Sequence, residues 1–210
     1  MNFQKLDLDR WDRREYYHHF TQEVICTYSL TTDLDITPLE TQRLYPAMLW
    51  LLTDTVNEFP EFRTQETSQG VGIFDTMHPS YTIFHRERKT FSSIWTEFSP
   101  DYREFLSRYE ADVETYRNAG TFAPKLKKPE NCFDVSMLPW LSFTGFNLNV
   151  HNGGRHLLPI FTLGKTRRQV GRTSLPLAIQ AHHAVCDGYH TAAFLACLGE
   201  KIACFSANNP

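Results

Sequence analysis

The fold turns on QAHHAVCDGYHTAAF, residues 180–194. An apolar run, residues 173–182, leads into it, and Phe194, Leu195, Leu198 and Ile202 follow at helical spacing. This reads as a strand that turns sharply into a helix beginning near Asp187. Neighbouring side chains on a strand point to opposite faces, so His182 and His183 cannot both hold one metal ion. With no His-Glu-x-x-His and no Cys/His ligand spacing in the chain, no metal site is expected. Cys186 as a nucleophile would require the turn to fold its thiol back onto His183. A small residue packed under the turn is the simpler reading. Proton transfer fits best, because an imidazole near its own pKa both takes and returns a proton at neutral pH. Asp187 would then serve as an anchor or a helix N-terminal carboxylate, and Gly188 would permit a tight turn. The residues alone leave open a packed core histidine beside an ordinary helix cap.

Working outward, residues 24–32, 71–75, 81–98, 141–150 and 157–166 also read as strands. Residues 81–98 form a hairpin around Arg88-Lys89, and residues 157–180 a second one turning near Gly171. Thr37-Pro38-Leu39-Glu40 has the form of a capping box. Leu44, Met48, Leu51, Leu52, Val56 and Phe59 follow at helical spacing. Pro46 lacks an amide hydrogen, so the region divides into two helices, the second opening near Tyr45-Pro46. A further helix should start at Ser99-Pro100, carry Phe105, Tyr109, Val113 and Tyr116 on one face, and stop at Gly120. The expected fold class is α+β: a two-layer mixed β-sheet covered by helices on one face.

At 210 residues the chain fits one domain with a substantial core, and its 41% hydrophobic content marks it as globular. A net charge of −3 disfavours a general nucleic-acid role. The N-terminus has no apolar signal core, and no stretch approaches a bilayer span, so no membrane association is expected. Five scattered cysteines without a Cys-x-x-Cys pair point to reduced thiols in a cytoplasmic protein.

His182-His183-Ala184-Val185-Cys186-Asp187-Gly188 resembles the signature of the CoA-dependent acyltransferases. Three further segments narrow the likeness to the type A chloramphenicol acetyltransferase family: Trp11-Asp12-Arg13-Arg14-Glu15, the run from Asp134 to Trp140, and Ser142-Phe143-Thr144-Gly145-Phe146-Asn147-Leu148-Asn149. Pro159-Ile160-Phe161-Thr162 adds to them. The order, the spacing and the length all match. Condensation domains need about twice this length, and dihydrolipoamide acyltransferase cores usually carry Asp-His-Arg where this chain has His182-His183-Ala184.

The resemblance implies a single acetyltransferase domain over residues 1–210. It would move acetyl from acetyl-CoA to a chloramphenicol hydroxyl in a ternary complex, with no acyl-enzyme, and so confer antibiotic resistance. It assigns the base to His183, an ion pair bracing it to Asp187 and Arg13, the oxyanion donor to Ser136, and to Thr162 the holding of a water at the same place. His182 is expected to pack. The acceptor pocket maps to Phe20, Val24, Phe91 and Phe146. It continues through Leu148, Val150 and Ile160, with Thr82 as a polar contact. Phe20 stands where relatives can have tyrosine. Lys165 maps near a CoA phosphate, and Arg167 and Arg168 join it on charge alone. The resemblance also implies a homotrimer with active sites between subunits. Two alternatives are an acyltransferase of this fold with another alcohol or thiol acceptor, and a non-catalytic small-molecule binder.

Overall fold

The computed structural model describes residues 2–150 and 155–208. Its main sheet has seven strands: β2 (Thr27–Asp35), β5 (His78–His85), β6 (Thr90–Trp95), β7 (Cys132–Met137), β8 (Ile160–Leu163), β9 (Arg167–Gln169) and β10 (Arg172–His182). The order is β2-β10-β8-β7-β5-β6, with β9 paired to β10. The β7 pairings with β5 and β8 are parallel and the rest antiparallel, so the sheet is mixed. A separate three-stranded sheet joins β1 (Phe3–Lys5), β4 (Gly70–Phe74) and β3 (Thr64–Thr67) in the order β1-β4-β3.

Alternation along the strands sorts side chains onto two faces. Tyr81, Phe133, Val135, Phe161, Leu177, Ile179 and Ala181 share one face and belong to the buried core. Helices α2 (Leu44–Val56), α3 (Tyr102–Tyr116) and α4 (Gly188–Asn208) cover it. Phe161 stacks on Phe194 of α4 and on Phe62, and Tyr81 lies 5.3 Å from Tyr109 of α3. The expected sheet with helices on one face is what the structure contains.

Pro46 sits in the first turn of α2, where its missing N–H costs nothing. The Thr37–Leu39 segment is a separate single 3₁₀ turn. The capping box does not form. Asp35 Oδ1 accepts the Thr37 amide and hydroxyl instead, and Glu40 takes the hydroxyl of Thr173. Asp101, two residues beyond Ser99, caps α3 by accepting the amides of Arg103 and Glu104. Both hairpins form where expected, and Gly171 adopts φ +75° in the β9–β10 turn, a conformation that favours glycine. Residues 141–150 form no strand. They run over the helix-free face, tied by the Phe146 amide to Thr31 Oγ1 at 3.3 Å and the Asn149 amide to Gln180 Oε1 at 3.1 Å.

Candidate active site

Strand β10 ends at His182, and the chain turns at His183 before α4. His183 donates its amide to the Cys26 carbonyl at 2.9 Å, so the neighbouring chain sets where the turn begins. Arg13, just before helix α1 (Arg14–His18), clamps the turn from outside. Its Nη1 and Nη2 reach the two Asp187 oxygens at 2.7 and 3.0 Å. Its Nη2 also meets the His183 carbonyl at 3.1 Å and its Nε the Ala184 carbonyl at 3.4 Å. One planar guanidinium thus fixes the carboxylate and the backbone that carries the imidazole. The Arg13 hydrogen bonds hold the Asp187 carboxyl below the usual carboxylate range, and the Arg13 charge acts in the same direction.

The His183 ring lies flat against Phe20, with centroids 4.5 Å apart and planes 5° apart, and Tyr28 presents an edge at 5.5 Å. His183 Nδ1 stands 2.9 Å from Asp187 Oδ1, yet it is not aligned for a hydrogen bond. With both oxygens already engaged by Arg13, the contact is electrostatic. The His183 side chain is 36% exposed, so the ring is not sealed in the interior. Tyr28 joins the turn to α4: its hydroxyl is 2.6 Å from Thr191 Oγ1 and 3.4 Å from Cys186 Sγ. Burial raises the Tyr28 phenol and the Cys186 thiol, so Cys186 is a packed residue under the turn.

His182 points to the opposite face and packs. Its Nδ1 accepts the Ala184 amide at 3.2 Å, and burial lowers its pKa to about 4. Gly188 opens α4, and a Cβ there would meet nothing within 4 Å. The tight turn expected at Gly188 is made instead by residues 183–185.

Ser136 and Thr162 lie side by side on paired strands, hydroxyl to hydroxyl at 2.9 Å. Thr162 in turn pairs with Ala178 of β10. Thr82, Phe91 and Ile160 fall on the same helix-free face by register. Phe146 is half-buried against Phe143, while Leu148 is exposed; with no strand here, the two do not alternate on a strand face. Val150 is half-buried, and Val24 and Phe91 are exposed in the single chain. Thr82 also borders a recess of ≈ 330 Å³ with Tyr45, Met137 and Trp140, residues the sequence did not assign to the pocket. Lys165 and Arg168 are exposed, whereas Arg167 pairs with Asp33.

The structure therefore brings His183, Asp187, Arg13 and Phe20 together, and separately Ser136 with Thr162. It does not bring the two groups together. Five residues separate Ala178 from His183, a strand distance of about 16 Å. His183 also shares the helix-covered side with Tyr28, while Ser136 occupies the other face.

A family model described as chloramphenicol acetyltransferase matches residues 1–199. A chloramphenicol acetyltransferase of Clostridium perfringens is 48% identical over 205 residues, covering 96% of this chain and 99% of its own length. One from Campylobacter coli is 48% identical over 198 residues, covering 93% and 96%. A solved chloramphenicol acetyltransferase has the same fold, with a TM-score of 0.84 at 22% identity, covering 96% of this chain and 100% of its own. With nearly half of the aligned positions identical over almost the full length of both chains, this chain belongs to the chloramphenicol acetyltransferase family.

Proposed function

We propose that the chain is a chloramphenicol O-acetyltransferase that uses acetyl-CoA as co-substrate and confers antibiotic resistance. The observation that carries this is His183, braced by the Arg13–Asp187 clamp and stacked on Phe20 while its side chain stays partly exposed. The imidazole takes the proton of the acceptor hydroxyl as that oxygen attacks the thioester carbonyl. A C–O bond forms, and the carbonyl oxygen takes up negative charge. Ser136 donates a hydrogen bond to that oxyanion, with Thr162 supporting the serine hydroxyl. Collapse breaks the C–S bond, and the imidazolium returns its proton to the departing thiolate, giving free CoA and the acetyl ester.

Phe20, Val24, Phe146, Leu148, Val150 and Ile160, with Thr82 and Phe91, form the acceptor pocket. Lys165, with Arg167 and Arg168, meets the CoA phosphates. The chain works as a single domain in the cytoplasm and assembles as a homotrimer with sites between subunits. The separation of His183 from Ser136 in one chain supports that assembly, because an intersubunit site reunites them. Thiol release from acetyl-CoA tests the reading: it should require chloramphenicol and collapse in His183→Ala. A chloramphenicol-independent release, or an equally active His183→Ala protein, refutes it.

A further inference from the structure

Asp187 occupies two roles at once. Its carbonyl accepts the Thr191 amide at 3.1 Å, which makes it the N-cap of α4. An N-cap aspartate ordinarily turns its carboxylate back over the first-turn amides. Here both oxygens are directed outward to Arg13. The side chain that reaches back belongs to His190, the third residue of the helix, whose Nδ1 lies 3.0 Å from the Asp187 amide nitrogen. In a capping box this position holds Glu or Gln, and its side chain takes the N-cap amide hydrogen. A backbone amide only donates, so His190 Nδ1 presents a lone pair and the ring carries its hydrogen on Nε2. Nε2 lies 3.6 Å from Glu61 Oε1, an acceptor that favours this tautomer, and both side chains are largely buried.

We infer that His190 is a positioning residue for the catalytic turn. By satisfying the Asp187 amide it fixes the start of α4, so that the Asp187 carboxylate is held against Arg13 and His183 rather than folded over its own helix. A neutral ring suits the position. His190 Nδ1 stands 4.0 Å from Asp187 Oδ2, where a glutamate would bring a second negative charge against the first. The inference rests on the reading of His183 as the base, and the sequence motif does not mark His190 by itself.

The test compares kcat and KM of the full chain with His190→Ala and His190→Gln, alongside thermal melting of each. Losing a hydrogen bond to a part-buried amide predicts a kcat about tenfold lower in His190→Ala, with both KM values within about twofold. Glutamine, a capping-box residue, should restore most of that turnover. Equal turnover in wild type and His190→Ala, or a His190→Gln protein as slow as His190→Ala, overturns the inference. Imidazole ¹⁵N spectra of the wild-type protein supply a readout that needs neither a variant nor activity. They should show His190 protonated at Nε2 and bare at Nδ1, and the opposite tautomer also overturns it. A wild-type protein that leaves chloramphenicol untouched would instead defeat the proposed function.

Discussion

Replacing Arg13 with alanine removes four contacts at once: two on the Asp187 carboxylate and two on the carbonyls of His183 and Ala184. Breaking a fully buried ion pair by deleting one partner costs about 3–5 kcal/mol. The Asp187 side chain is 32% exposed. Water recovers part of that cost, which leaves about 2–3 kcal/mol. For a chain of this size each kcal/mol moves Tm by about 2–4 °C, so Arg13→Ala should melt about 4–12 °C lower near pH 7. Arg13→Lys keeps the charge but not the planar fork, and should recover less than half of the difference. The direction of the pH dependence follows from Asp187. Its folded pKa is depressed, so the pair contributes fully above the ordinary carboxylate range and loses its contribution as pH falls through the lowered value. The wild-type and Arg13→Ala melting curves should therefore converge on acidification. A Tm difference below about 2 °C at neutral pH, or a gap that does not narrow in acid, would refute the reasoning.

His183→Ala should lower chloramphenicol-dependent thiol release by at least about 10²–10⁴-fold, and retention within tenfold would remove it as the base. Ser136→Ala should reduce kcat by about 10²–10³-fold with KM little changed; a loss confined to KM would assign the hydroxyl to binding. His182, lowered from 6.5 to about 4 by burial, should cost the folded state up to about 3 kcal/mol as pH falls from about 6.5 towards 4, because the unfolded chain takes up the proton first. Melting at pH 7.5 and pH 5 should thus separate the wild type from His182→Gln, which lacks that titration.

The parts of the fold legible in the sequence were those with strong local signals. Pro46 marked the start of α2, Gly171 and the Arg88-Lys89 pair located two turns, and the apolar spacing after Asp187 announced α4. The reading failed where contacts from far along the chain decide conformation. Residues 141–150 look strand-like, but they are held by side chains of Thr31 and Gln180 and not by a ladder. No local period reveals strand β7, whose six residues sit between parallel partners. The His183 turn was legible as chemistry, and the role of Arg13 came only through resemblance, since 174 residues separate it from Asp187. The stacking of Phe20 on His183 left no mark in the sequence beyond an aromatic at a pocket position. His190 was visible in the quoted stretch, yet its use as a cap depends on where Glu61 and Arg13 sit.

The placement of imidazole and serine on opposite faces of one sheet has a genetic consequence. If sites form between subunits as proposed, two inactive alleles, one lacking the base and one lacking the hydroxyl, would complement each other when their products assemble in the same cell. In the proposed homotrimer every mixed ring would rebuild one working junction, so equal co-expression of His183→Ala and Ser136→Ala would return about a quarter of the sites. Bacteria carrying both lesions in trans would grow on the drug, and those carrying both on one polypeptide would not.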